Sequence, residues 1–98
     1  MLTLAHIARQ TAAILRNKPV QRAYVFGSQA RGDATDASDV DILVDLDPTQ
    51  LFGMIDFIIL LDELEGALHH KVDLVASDGL SPHLRPAIDR EKKLIYEA

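Results

Sequence analysis

Three aspartates in the middle of the chain have the residue type and spacing that metal chemistry requires. Asp39 and Asp41 are two residues apart in an alternating segment typical of a β-strand, so both side chains project from one face. Asp73 lies in a second segment with the same apolar pattern and can project from that face too. Carboxylates held by two strands form an oxygen-only ligand set, which Mg²⁺ or Mn²⁺ prefers. On these residues alone, a solvated acidic strand face stays open as the alternative.

A glycine–serine segment precedes the first of these aspartates. Gly27 lets a ligand approach the backbone, and Ser28 offers a hydroxyl group and an N–H. Arg31 adds a permanent cation that suits phosphate oxygens. The glycine spacing matches that of a P-loop, but Asp33 and Ala34 stand where Lys and Ser or Thr are required, which excludes a P-loop ATPase. By itself, the glycine–serine pair is also consistent with an ordinary turn.

The elements that must position these residues alternate between helix and strand. The patterns predict, in order, a helix from the N-cap Thr3 to the break at Lys18-Pro19, a strand over 22–26, a polar loop over 27–38, a strand over 39–46, a helix over 49–68, a strand over 71–76, a helix over 81–90 and a short strand over 94–96. We therefore expect an α/β (α+β) protein with a three- or four-stranded mixed sheet and helices on one face.

Composition excludes several classes of protein. The chain has 98 residues, a net charge of −5, 48% hydrophobic residues and no cysteine, which suits one domain over 1–98 and excludes disulfide scaffolds and Cys-based zinc sites. The longest apolar run, 57–61, is too short to span a membrane, and the N-terminus lacks the apolar core of a signal peptide. We expect a cytoplasmic protein without direct nucleic-acid binding, because phosphate backbones require a surplus of cations.

The motifs together are far more specific than each alone. Gly27-Ser28 is followed by ten residues and then by Asp39-Val40-Asp41, with Asp73 in a later strand. This combination resembles the MNT-type minimal nucleotidyltransferases of the DNA polymerase beta-like nucleotidyltransferase superfamily. The resemblance covers essentially the whole chain and shows no departure at a motif position.

The resemblance implies a palm-like nucleotidyltransferase fold and a reaction that uses ATP with Mg²⁺ (or Mn²⁺). Gly27 and Ser28 would hold the β- and γ-phosphates, with Arg31 as a further nucleotide-binding residue. Asp39 and Asp41 would bind the metal ions. Asp73 would complete the site, binding a metal ion and activating the attacking hydroxyl group.

The same resemblance implies a partner. Minimal nucleotidyltransferases of this kind are typically paired with HEPN-domain proteins, and act as antitoxins by transferring AMP from ATP to a tyrosine of the HEPN ribonuclease toxin. A minimal catalytic core with a net charge of −5 agrees with this, because the molecule that accepts AMP must be small or be brought by a partner. Two alternatives stay open: adenylylation of a small hydroxyl compound, and a non-catalytic antitoxin that masks its partner.

The helix predicted over 49–68 has apolar residues on two arcs. The first arc contains Leu51, Phe52, Ile55, Ile58 and Ile59, and the second contains Met54, Phe57, Leu61, Leu64 and Leu68. One arc is enough to cover a sheet, so we expect the second arc to contact a partner or to mediate self-association. The alternative is a helix wedged into the core.

Two further clusters have ordinary interpretations. The basic residues near the C-terminus are typical of a solvated helix face, although they could help to hold a triphosphate: Arg85, Arg90, Lys92 and Lys93. His69-His70 is typical of polar residues at a helix end, because adjacent side chains on a helix point in different directions and no third metal ligand is near in the sequence.

Overall fold

Strands and helices alternate along the chain and build the mixed sheet that the sequence predicted. The computed structural model describes residues 2–98. Its elements are α1 (Leu4–Leu15), β1 (Val20–Phe26), α2 (Gly27–Arg31), β2 (Val40–Leu46), α3 (Met54–Leu68), β3 (Val72–Ala76), α4 (Arg85–Glu91) and β4 (Lys93–Glu97). The strand order is β3-β2-β1-β4; β2 and β3 are parallel, and β1 is antiparallel to both β2 and β4. None of the helices described over 2–98 is long and apolar enough to cross a membrane.

Alternation along β2 gives the sheet a fully apolar face. Val40 and Ile42 are completely buried, and they join side chains of α1 and α3 in the main core. The two long helices therefore lie on one face, as predicted. The short α4 is the exception, because Ile88 packs with Phe26 and Leu43 in a smaller cluster on the opposite face. That opposite face also carries the aspartates of β2.

Helix α3 begins at Met54 rather than at position 49, so the predicted start was wrong. The Asp47 carboxylate accepts hydrogen bonds from the backbone N–H and the hydroxyl group of Thr49, at 2.9 and 2.7 Å, and closes a turn instead. These bonds hold the pKa of Asp47 below its ordinary value. The helix is capped at Gly53, whose N–H donates to the Asp56 carboxylate at 2.9 Å.

Other boundaries also differ from the prediction. Helix α4 begins at Arg85 and not at Ser81, because the Ser81 carbonyl accepts the Leu84 N–H at 3.0 Å in a turn that precedes the helix. The polar segment after β1 was predicted as a loop, but its first five residues form α2. Strands β1 and β4 each begin slightly earlier than expected.

Both apolar arcs exist, but the second is mostly buried and the first mostly exposed. The exceptions are Met54, which is exposed, and Phe52, which packs against the core. Leu64 and Leu68 of the second arc are 0% and 2% exposed, and Phe57 and Leu61 pack against the main core. Our prediction that this arc contacts another chain was therefore wrong. The solvent-facing side, which we call the exposed apolar face, contains Leu51, Met54, Ile55, Ile58 and Ile59. Periodicity could not assign the arcs, because the two are equally apolar.

A buried hydroxyl group in α1 leads to a first prediction about stability. Thr11 is fully buried, and its Oγ1 has no hydrogen-bond partner within residues 2–98. We expect Thr11→Val to stabilise the chain by about 1 kcal/mol, since an unpaired polar group is replaced by a methyl group of similar size. Thermal unfolding should show a Tm raised by about 4–8 °C.

The matched control is Thr3→Val. The Thr3 hydroxyl caps α1 by accepting the His6 N–H at 3.1 Å, so this substitution should cost about 1 kcal/mol. Loss of stability in both variants would contradict the interpretation of Thr11.

Candidate active site

The pairing of β2 with β3 forms the centre of the site. Asp41 lies directly opposite Asp73 in this parallel pair, so the two side chains project from the same face of the sheet. On its other side, Asp41 lies opposite Phe26, the last residue of β1. Asp39 immediately precedes β2 and is exposed. The structure thus places Asp41 and Asp73 side by side, with Asp39 at the entry of the same strand.

Gly27 brings the turn after β1 into contact with Asp41. Its φ of 71° lies in the left-handed region, which glycine adopts without strain. A Cβ added to Gly27 would collide with Oδ2 of the Asp41 carboxylate. Only glycine therefore fits between β1 and α2, and the position of this turn is tied to the position of the carboxylate.

The electrostatics of Asp41 show that the acidic groups influence one another. Partial burial raises the pKa of Asp41 most, and the negative charges of Asp73 and Asp39 raise it further. The nearby Arg31 guanidinium opposes this rise. Three further carboxylates, those of Asp73, Asp39 and Glu91, and one cation thus act on Asp41, and bound positive charge would relieve the repulsion.

The three nucleotide-binding candidates all lie in α2. Gly27 is buried and opens the helix, Ser28 is half-buried beside it, and Arg31 is exposed in the last turn. The Arg31 side chain is held by two carboxylates, with Nε 3.2 Å from Asp33 Oδ2 and Nη1 3.3 Å from Glu91 Oε2. The predicted phosphate-binding cation is therefore positioned by ion pairs.

Glu91 is a feature of the site that the sequence did not reveal. Besides its contact with Arg31, its Oε1 accepts the Gly27 N–H at 2.9 Å. No local pattern could have identified this contact, because it joins residues 64 positions apart.

The basic residues of the C-terminal region do not point to the site as a group. Lys92 pairs with Asp89 at 2.9 Å, and its Nζ lies 4.4 Å from the centre of the Tyr24 ring. Arg85 donates to the Ser77 carbonyl at 2.7 Å. These contacts occupy both cations elsewhere on the surface.

The donor chemistry of the aspartates fits Mg²⁺, although residues 2–98 contain no ready-made cage. Within that range, no group of three or more His or acidic side chains is arranged to hold a metal ion. Mg²⁺ usually binds one or two protein carboxylates and completes its shell with water and substrate phosphates. The neighbouring Asp41 and Asp73, with Asp39 beside them, offer the hard oxygen ligands that this requires. The pKa of Asp41 is raised first by its burial and then by the charges of Asp73 and Asp39, which a bound cation would offset.

Comparison with known proteins identifies the family. The family model "Polymerase beta, Nucleotidyltransferase" matches residues 9–98. The chain belongs to this family. The protein is thus a nucleotidyltransferase, and the resemblance drawn from its motifs is confirmed.

Relatives of this nucleotidyltransferase are named protein adenylyltransferases. One, from Methanocaldococcus jannaschii, is 35% identical over 95 residues, which cover 95% of this chain and 93% of the relative. The protein adenylyltransferase MntA of Thermococcus cleftensis is 40% identical over 72 residues, which cover 74% of this chain and 71% of the relative. A chain in a crystal structure of a toxin–antitoxin with AMP-PNP superposes with a TM-score of 0.79 at 27% identity, covering 93% of this nucleotidyltransferase and 73% of that chain.

Proposed function

We propose that this nucleotidyltransferase transfers AMP from ATP to a tyrosine hydroxyl group of a partner HEPN ribonuclease toxin, and so acts as its antitoxin. The observation that carries the proposal is the register pair Asp41–Asp73, of which Asp41 lies against the Gly27 turn. The names of the relatives and the toxin–antitoxin structure with AMP-PNP support AMP as the transferred group and a toxin as the partner.

Each site residue receives a role in this reaction. Asp39 and Asp41 bind Mg²⁺, which when bound offsets negative charge on the phosphates and orients them. Gly27, Ser28 and Arg31 hold the β- and γ-phosphates. Asp73 takes the proton of the acceptor hydroxyl group, whose oxygen then bonds to the α-phosphorus while the bond to pyrophosphate breaks.

The test combines the chain, ATP, Mg²⁺ and a HEPN-domain protein, sought first in the reading frames adjacent to the gene of this chain. Intact-mass spectrometry should show the HEPN protein gaining the mass of one or more AMP groups, and peptide mapping should place them on tyrosine. The HEPN protein incubated without the chain is the control. A complex that forms and silences the ribonuclease without any added mass would replace the proposal by a masking antitoxin.

The exposed apolar face is the surface we assign to partner contact. Within it, Met54 and Ile55 are 79% and 75% exposed, and Leu51 is fully exposed. Isolated monomers rarely leave contiguous large apolar side chains open to water. We assign this contact to the HEPN partner, and self-association in light scattering would instead assign it to a second copy of this chain.

Ile58→Asp tests this surface. Because Ile58 is 56% exposed, we expect the variant to fold with nearly unchanged Tm, whereas binding to the HEPN partner weakens by about tenfold or more, as for an interface hot spot. Calorimetry and light scattering would measure binding and self-association. Leu94→Asp is the matched control, since Leu94 is 53% exposed but lies on β4. Equal effects of the two variants would contradict the assignment.

A further inference from the structure

Glu91 holds both ends of α2. Its carboxylate accepts the N–H of Gly27, the first residue of the helix, at 2.9 Å through Oε1. Through Oε2 it accepts a hydrogen bond from Nη1 of Arg31, the last residue of the helix, at 3.3 Å. A single side chain at the end of α4 thus fixes the beginning and the end of the short helix that follows β1.

The carboxylate of Glu91 adds a negative charge near the site aspartates. The three site aspartates already repel one another, and the Glu91 charge is among those that raise the pKa of Asp41. The placement also brings a negative charge towards a helix that we assign to a polyanionic substrate. The compensating role of this side chain is the pair of hydrogen bonds that it accepts from the two ends of α2.

The compensating role follows from the tight fit of Gly27. A Cβ at Gly27 would collide with the Asp41 carboxylate as it is placed, so either the turn or the carboxylate would have to move. A displacement of this turn would therefore move Gly27 relative to Asp41 and would also redirect Arg31. Part of the Glu91 side chain is shielded, with 25% of its area exposed, which strengthens its charge-assisted hydrogen bonds.

We infer that Glu91 is a positioning residue for nucleotide binding: it clamps α2 so that Gly27 and Arg31 keep their places relative to Asp41. The inference rests on the proposed function, in which α2 holds the phosphates. Glu91 acts through these two residues and has no role in the chemical step itself.

The test uses Glu91→Ala, Glu91→Gln and the control Glu97→Ala. Glu97 is also a C-terminal glutamate paired with an arginine, Arg22 at 3.6 Å, but it lies away from α2. In Glu91→Ala we expect the Kd for AMP-PNP with Mg²⁺ and the KM for ATP to rise about tenfold, the loss typical of a charged hydrogen bond, with kcat changed less than threefold. Glu91→Gln keeps an acceptor for the Gly27 N–H and should recover most of the affinity. Glu97→Ala should match the wild-type chain.

Hydrogen exchange gives a second readout that does not depend on activity. The Gly27 amide should exchange about tenfold faster in Glu91→Ala than in wild type, and near the wild-type rate in Glu91→Gln. Unchanged exchange together with unchanged AMP-PNP affinity in Glu91→Ala would overturn the inference. Tighter AMP-PNP binding in that variant would also overturn it, since the carboxylate would then be a competitor of the phosphates. A wild-type chain that binds no AMP-PNP would instead refute the proposed function.

Discussion

Replacing Asp39 and Asp41 together by asparagine is expected to abolish AMP transfer and leave the chain folded. Asparagine preserves side-chain shape but removes the two negative charges that we assign to Mg²⁺. Stabilisation of transition-state charge by a metal ion is worth several kcal/mol, so transfer should fall at least about 1,000-fold. Labelling of the HEPN partner with ATP that is radioactive at its α-phosphate would measure this loss.

The same double variant should not lose stability. The pKa of Asp41 is raised in the folded state by burial and by Asp73 and Asp39, so its charged form is less favourable there than in the unfolded chain. The folded state then binds more protons than the unfolded state above the ordinary pKa of 3.8, and stability falls as the pH rises through the raised value. Asparagine at position 41 removes this penalty, and urea unfolding at neutral pH should show equal or slightly greater stability.

Asp45→Asn combined with Asp62→Asn is the matched control. It removes the same number of charges, one from further along β2 and one from α3, outside the proposed site. We expect this control to keep transfer within a few-fold of wild type. Comparable activity in the two double variants would show that the first pair does not bind the metal ion.

Gly27→Ala is expected to have the second largest effect. Two costs add at this position: alanine is strained at a φ of 71°, and its Cβ would collide with the Asp41 carboxylate. The strain alone costs about 1–2 kcal/mol. The collision forces the turn and the carboxylate apart, so we expect transfer to fall about 100-fold or more, as misplacement by about 1 Å can do.

Gly32→Ala separates the two costs. Gly32 has a φ of 85°, but a Cβ added there would meet nothing within 4 Å. This variant should lose about 1–2 kcal/mol of stability from strain and keep nearly full transfer. If the two alanine variants lose activity equally, close contact between Gly27 and Asp41 is not what the reaction needs.

Local periodicity was sufficient to predict the strands and the acidic face of the sheet. In β2 the alternation of Val40, Asp41 and Ile42 determines which side chains are buried, because successive strand residues point to opposite faces. The same rule placed Asp73 between Val72 and Leu74. The sequence does not predict the register between β2 and β3. The parallel pairing of the two strands in the structure places Asp41 opposite Asp73.

Tertiary contacts decided the features that the sequence left open or predicted wrongly. The start of α3 depends on whether Asp47 caps a helix or closes a turn with Thr49, and both are common for aspartate. Which arc of α3 faces solvent depends on which of its residues the rest of the chain packs against, as the full burial of Leu64 shows. The Glu91 clamp joins the two halves of the chain, so nothing near either residue predicts it.

In the proposed reaction, in which Asp73 takes the proton of the acceptor hydroxyl group, the outermost position of β3 determines how the acceptor can approach. β3 is an edge strand of the sheet, and Asp73 on this strand is exposed to solvent. A proton acceptor on an edge strand is accessible from the side of the sheet. A folded protein could therefore present a surface hydroxyl group there without inserting a loop into a crevice. Substrate selection would then lie in the fit between two surfaces and not in the shape of an enclosed cavity.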